Sequence, residues 1–447
     1  MKKFLPILLL VISFACARTI DQEDVSVPSD APYQDNQVQD VLEDTKSDQF
    51  ENGDSSPDIS DDSIEPPEEM VVCEQIQVPV PSGECVVQEG GGSGEILLHG
   101  LVLSSTSIFV DGQVLVGADG LIACVGCDCF GQANQPDVVS CGDSVISPGL
   151  INAHDHIGWI HDTPKDWGDE RFDHRHDWRK GLRGHNKVSA YGGADQKEKT
   201  WGEMRQAISG TTSLSGSGHA PGFLRNLDGS NQEGLGQEAL IYQTFPLGDS
   251  NGTLLASGCD YPSIDSKSVL YRDCYLPHVS EGIDHEARNE FLCLSSDANG
   301  GVDLTEPQST FVHAIGLVPE DGQELAVSGT AIIWSPRSNI SLYGNTAPVT
   351  MYKKQGVLIG LGTDWVPSGS MNMLRELRCA DLLNSKYYDH AFTDKELWFM
   401  ATGGAAMALA VDDATGSIKS GLQADIVIMT AKDADNPYRS IIDAEPQ

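Results

Sequence analysis

From Glu95 onward the chain alternates short apolar runs with Gly, Asp and Ser, the punctuation expected of β-strands and turns. ILLHGLVL, SIFV, QVLVG and LIACVG predict a small antiparallel sheet, with DG at 111 and ADG at 118 as its turns. The same cadence returns near the other end. There Gly416-Ser417-Ile418, Gly421 and the run from Ala424 to Met429 predict a turn and a strand, so that both chain ends meet in one β domain. The middle, about 147 to 414, alternates buried-looking strands with amphipathic stretches such as EKTWGEMRQAIS and SMNMLRELRCADLLN, the βα pattern of a parallel sheet or barrel. Seven strands stand out: SVISPGLIN, TSLSG, ALIYQTF, CYLPHV, STFVHAIG, TAIIWSP and VLIGLGT. An eighth is expected between 157 and 200, which makes TSLSG the third.

The first seventy residues read differently. Two lysines and an unbroken apolar run from Phe4 to Ala15 predict a signal peptide over 1–15. Ser-Phe-Ala-Cys at its end resembles a bacterial lipobox, which implies lipid attachment at Cys16; an ordinary signal peptide cleaved near Ala15 is the other reading. Either exports the protein to the cell envelope, periplasm or cell surface. Residues 19 to 70 carry seventeen acidic residues against one lysine and few large apolar groups. Such a tract cannot offset its ordering entropy by burial, so 17–70 is expected to be a disordered acidic tether.

The formal charge is -38, and the part after the tether remains strongly acidic, which argues against nucleic acid or anionic lipid as partners. Beyond Cys16 the ten cysteines of an exported chain favour disulfides, with Cys73–Cys85, Cys259–Cys274 and Cys141 with Cys124, Cys127 or Cys129 as expected pairs. Cys124 and Cys127 also have zinc-ligand spacing, but no second pair follows at the distance a structural zinc site requires.

Chemistry gathers just past the predicted strands, where barrel proteins place their sites. His154 and His156, two apart in PGLINAHDHIG, face one side of an extended strand end. His278 and Glu281 follow in LPHVSEG, His313 in TFVHAIG and Asp364 in LIGLGTDW. Each alone reads as a hydrogen-bonded structural residue, and Asp364 as a helix cap. Together they end four separate strands in the order His-x-His, His, His, Asp.

The set PGLINAHDH, HVSEG, VHAIGL, SPRSN and GLGTD, with ADIVI near the end, resembles the amidohydrolase superfamily, in its cytosine-deaminase-like and triazine-hydrolase-like branch, over about residues 95 to 440. The resemblance implies an α/β fold: a (β/α)8 TIM barrel over 147–414 with a small β-sandwich domain from 71–146 and 415–447. It implies one divalent metal ion, zinc or iron, on His154, His156, His278 and Asp364, with Glu281, His313 and Asp364 catalytic. Dinuclear members carry a bridging lysine or glutamate after strand four, where ALIYQTF offers Gln243, so a single metal is expected. The family also continues with further strands after ADIVI, whereas this sequence runs only to Gln447.

The expected activity is hydrolysis of a non-peptide carbon-nitrogen bond, deaminating a cyclic amidine or heteroaromatic amine through a metal-activated hydroxide. A cyclic amide, N-acyl or halide-displacing hydrolase is the nearest alternative, and an inactive barrel serving as a surface-binding lipoprotein the more distant one. His219, Asn339 and Trp365 are candidate substrate contacts, as are the histidines and Asp177 in FDHRHDWRKGLRGH, with Trp159 and Trp365 as ring walls or packing. The expected partners are a small-molecule substrate and a membrane reached through the lipid anchor.

Overall fold

The computed structural model describes residues 69–74, 85–230, 234–433 and 435–445. The expected signal peptide, Cys16 and nearly all of the acidic tether lie outside them. Among the described residues no helix is long and apolar enough to cross a membrane.

The first strands are β1 (Glu69–Val72), β2 (Val86–Gln88), β3 (Ile96–Leu103), β4 (Ser107–Val116), β5 (Ile122–Gly126) and β6 (Asp137–Pro148). They form one mixed sheet in the order β1-β4-β3-β6, with β2 beside β6 and β5 beside β4. β1 already takes in Glu69 and Met70, which the composition had assigned to the tether. SIFV and QVLVG are not two strands joined by a turn. They are one strand, β4, and the pairing with β3 slips between Gly100 and Val102, across from Val110-Asp111. Asp111 has φ 56°, so the DG pair bends the strand as a bulge. The ADG pair does turn the chain, with Gly120 at φ 83°.

Eight short parallel strands follow: β7 (Leu150–Asn152), β8 (Thr211–Leu214), β9 (Arg225–Asn226), β10 (Ile241–Gln243), β11 (Tyr275–Val279), β12 (Thr310–His313), β13 (Ala331–Trp334) and β14 (Ile359–Leu361). They pair as β7-β8-β9 and β10-β11-β12-β13-β14. Backbone hydrogen bonds join the two groups at both junctions. Leu240 N–H donates to Leu227 O at 3.1 Å, and Asp364 N–H to His154 O at 2.9 Å. The result is the (β/α)8 barrel. From the far end of the chain β15 (Ile426–Thr430) returns antiparallel to β6 and completes the mixed sheet.

The eighth strand is not between 157 and 200. That stretch holds the helix α1 (Arg175–Lys180) and opens α2 (Gln196–Ile208), which starts at a capping box of Asp195 and Glu198. The missing strand is β9, two polar residues long and without an apolar run to mark it. TSLSG is therefore the second strand, and ALIYQTF keeps its place as the fourth.

The cysteine pairing differs from every expected pair. Among the described residues the disulfides are Cys73–Cys127, Cys85–Cys141, Cys124–Cys129 and Cys259–Cys293, and Cys274 and Cys379 are buried outside these four bonds. Cys274 opens a barrel strand and its Sγ points to Ala408 O, whereas Cys259 faces α3 (His285–Leu294). Bonding of Cys124 and Cys127 to other cysteines removes the zinc-cluster reading.

Candidate metal centre

The C-terminal ends of β7, β11, β12 and β14 bring His154, His156, His278, His313 and Asp364 together. A close approach makes this possible: a Cβ on Gly362 would fall 2.6 Å from His154 N, so only glycine lets β14 lie this near β7. His313 (φ 74°) and Asp364 (φ 56°) hold left-handed backbone conformations that cost a non-glycine residue about 1–3 kcal/mol, and the strain aims both side chains at the centre.

The donor atoms converge. Asp364 Oδ1 lies 3.2 Å from His154 Nε2 and 3.4 Å from His156 Nε2, about the spacing of ligands around one small tetrahedral cation. His154, His156 and His278 offer nitrogens within 4.8 Å of one another, as do donor atoms of His154, His313 and Asp364. His278 Nδ1 donates to the backbone oxygen of Gln243 at 3.2 Å, which leaves the Nε2 lone pair free, and this buried Nε2 has no hydrogen-bond partner. Protein interiors rarely leave such an atom unsatisfied, so the donor set fits a divalent metal.

Electrostatics agree. Burial, opposed by Asp364, lowers the His154 pKa to about 4. Burial and the neighbouring histidines drive His278 well below its ordinary value, and His313 falls to about 4 for the same first reason. Burial opposes the charge of Asp364, yet hydrogen bonds from His154 and His156 hold its carboxyl well below the usual range. Neutral imidazoles and an ionised carboxylate are the forms that ligate metal.

Glu281 stands beside the centre, with Oε2 3.7 Å from His313 Nε2. Burial first of all, against the nearby Arg175, raises its pKa to about 7, where a carboxyl can both give and take a proton. Tyr343 donates to Glu281 Oε1 at 2.7 Å and receives the Trp178 indole N–H at 2.8 Å. Tyr343→Phe should therefore lower kcat about tenfold or more while metal content stays at wild type, a contrast read by steady-state kinetics and metal analysis on one sample.

The other sequence candidates fall in varied places. Asn339 is buried behind His313 and donates to its Nδ1 at 3.2 Å, which leaves Nε2 carrying the proton; it steadies a site residue and does not line the cavity. Trp365 lines the cavity, its ring centroid 4.9 Å from that of Trp178, and Trp159 stands edge-on to His156. His219 is exposed and absent from the cavity wall, with its carbonyl accepting from Gln196. It follows strand two rather than three, and Ser217 takes the lining position. At strand four the side chain of Gln243 turns to Asp265, and Tyr242 approaches the ligands instead, its hydroxyl 3.4 Å from His154 Nδ1.

Of FDHRHDWRKGLRGH, His174 and His176 sit with Glu290 in a second buried cluster. Arg175 already occupies it, 2.6 Å from Asp249 Oδ2 and 3.1 Å from Glu290 Oε1, so no cation is needed there. The same segment pairs with the loop of Glu281: Arg175 N–H donates to Glu281 O at 2.9 Å. His185 bonds Glu170 away from the centre. Sequence reasoning passed over Tyr242, Tyr343, Arg175, Arg179 and Phe245, which look like ordinary packing or surface residues until the barrel closes.

A barrel of this kind has known relatives. Residues 278–446 match the amidohydrolase family. The chain is 36% identical over 187 residues to 5-methylthioadenosine/S-adenosylhomocysteine deaminase of Caldicellulosiruptor saccharolyticus, covering 39% of this chain and 42% of that protein. It is 29% identical over 222 residues to the enzyme of the same name from Carboxydothermus hydrogenoformans, covering 46% and 51%. It thus spans about half the length, or less, of these curated relatives. Among solved structures, the zinc-bound adenosine deaminase from Xanthomonas campestris superposes with TM-score 0.54 at 18% identity, covering 78% of this chain and 89% of that one. Zinc-bound atrazine chlorohydrolase from Arthrobacter aurescens gives 0.54 at 19%, covering 79% and 92%. Residues 278–446 are thus similar to the amidohydrolase family, and the barrel fold is shared with these solved structures.

Proposed function

We propose that the protein deaminates a heteroaromatic amine or cyclic amidine hydrolytically, using a single divalent metal on His154, His156, His278 and Asp364. The observation that carries this reading is the unpartnered His278 Nε2 among His154, His156 and Asp364, with Glu281 beside them in one cavity of about 250 Å³. The names of the deaminase relatives support the same reaction class. Tyr242, a neutral phenol whose pKa burial pushes well up, takes the place beside the ligands where a bridging carboxylate would stand, which supports one metal over two.

A divalent metal on these ligands acidifies water and so supplies hydroxide at neutral pH. The protein's own residues do the rest. Asp364 Oδ1 faces the reacting position as a proton acceptor, and its Oδ2 is steadied by the Ser338 hydroxyl at 2.5 Å. His313 presents Nε2–H to the incoming oxygen. Glu281 carries the proton to the ring or departing nitrogen. Trp178 and Trp365 wall a flat ring.

Purified full chain in detergent, loaded with zinc or ferrous iron, should release ammonia from a subset of cyclic amines. Chloride or carboxylate release without ammonia would turn the assignment to the halide-displacing or amide branch, and no hydrolysis with either metal would refute it. We also infer export with lipid attachment at Cys16, supported by the leader sequence and four disulfides. Fatty-acid labelling that vanishes in Cys16→Ser tests it, and an unlabelled wild type would sink it.

A further inference from the structure

The cavity holds a positive charge for which the hydrolytic chemistry has no use. Arg175 and Arg179, one helical turn apart on α1, both line it. They differ in what they touch. Arg175 is buried and matched by two carboxylates, Asp249 and Glu290. Arg179 is partly exposed, its guanidinium carbon 4.2 Å from the centroid of the Phe245 ring. Its Nη1 donates to His176 Nδ1 at 2.8 Å and its Nη2 to Ser250 O at 3.4 Å.

Both of those acceptors are uncharged. His176 gives its other ring nitrogen to Asp249 Oδ2 at 2.8 Å and is kept neutral, chiefly by burial. Asp249 is thereby engaged by Arg175 and His176, and Glu281 by Tyr343. A guanidinium taken partly out of water beside an aromatic wall, and hydrogen-bonded only to neutral acceptors, keeps just the longer-range attraction of Glu281 and Asp249, both already engaged by other groups, and makes no direct ion pair to offset its lost hydration. An anion arriving in the cavity would supply it through a charge-assisted, planar contact that suits a carboxylate. The protein as a whole is strongly acidic, so long-range attraction gives an anion no help, and selectivity for one must come from a local cation.

We propose that the substrate bears a carboxylate-type anionic group away from its reacting carbon, and that Arg179 is the residue that selects it. The ring would lie along Trp178 and Trp365 toward His278 and Glu281, with the anion on Arg179 over Phe245. This rests on the heteroaromatic-amine reading for the nature of the ring, but not for the anion.

The test measures binding and hydrolysis separately. Metal-loaded full chain is titrated calorimetrically with 4-aminopyrimidine-5-carboxylate and 3-(adenin-9-yl)propanoate, each against its carboxamide, and ammonia is assayed in parallel. In wild type at least one carboxylate should bind about tenfold or more tightly than its carboxamide, with the ratio falling as salt rises. Arg179→Gln should bring the ratio close to one, and Arg179→Lys should restore part of it, at unaltered metal content and unfolding midpoint. A wild-type ratio near one, no binding of either carboxylate, or equal losses for both members of each pair in Arg179→Gln would overturn the proposal. Ammonia release without carboxylate preference would leave the deaminase reading standing alone. Arg179-dependent carboxylate preference without ammonia would do the reverse.

Discussion

Glu281→Gln is expected to bind its metal as wild type does and to lose most of its turnover, with kcat down by about 10²–10⁴-fold. The amide keeps the size of the side chain and can still meet Tyr343, whose hydroxyl lies 2.7 Å from Oε1, so the packing around it survives. What disappears is a buried carboxyl whose pKa stands at about 7 and which can pass a proton in either direction. Single-turnover kinetics beside metal analysis checks this. Full activity in the variant would show that the proton reaches the nitrogen by another route.

The second large effect is of the opposite kind. His278→Ala should abolish metal retention and take activity with it, to at least a thousandfold below wild type by order of magnitude. His278 Nε2 has no other partner, and His278 Nδ1 is already fixed by Gln243 O, so no neighbouring group is free to replace it. Asp364→Asn should do nearly as much harm, since the amide cannot supply the negative charge that balances the cation among three neutral imidazoles. Dialysis against a chelator followed by metal quantification distinguishes the two classes of variant: Glu281→Gln retains about one equivalent and His278→Ala retains none. If His278→Ala held metal like wild type, the ligand set would be wrong.

The cluster proposed to hold the metal was legible in the chain because its residues end apolar strands, and strand ends can be recognised from the run that precedes them. His154, His156, His278, His313 and Asp364 each follow such a run, and Glu281 lies within a turn of His278. The third barrel strand escaped detection for the converse reason. Arg225 and Asn226 carry no apolar period, and β9 is fixed instead by its pairing with β8 and by long-range bonds such as that of Arg225 to Asp425. Misplacing that strand moved His219 into the cavity on paper, whereas the chain leaves it exposed and places Ser217 on the wall.

The cysteine pairs failed in a related way. Spacing favours near neighbours, but Cys73 finds Cys127 because β1 and β5 lie end to end along one edge of β4, on Ser107–Val110 and Gln113–Val116, while β3 takes the other edge. Asn339 and Trp365 were both singled out by their motifs. Only the packing separated them, the first to a post behind His313 and the second to the cavity wall.

By itself, then, the order of residues determined the kind of centre: imidazoles and a carboxylate at strand ends, with an acid nearby, because element type and ligand chemistry are local properties of short segments. Which side chains face that centre was decided only by the tertiary structure. Closing β14 against β7 needs Gly362, His313 and Asp364 reach inward through left-handed backbone, and Tyr242, Tyr343 and Arg179 come from segments far apart in the chain. Their convergence depends on long-range packing, which no local pattern encodes.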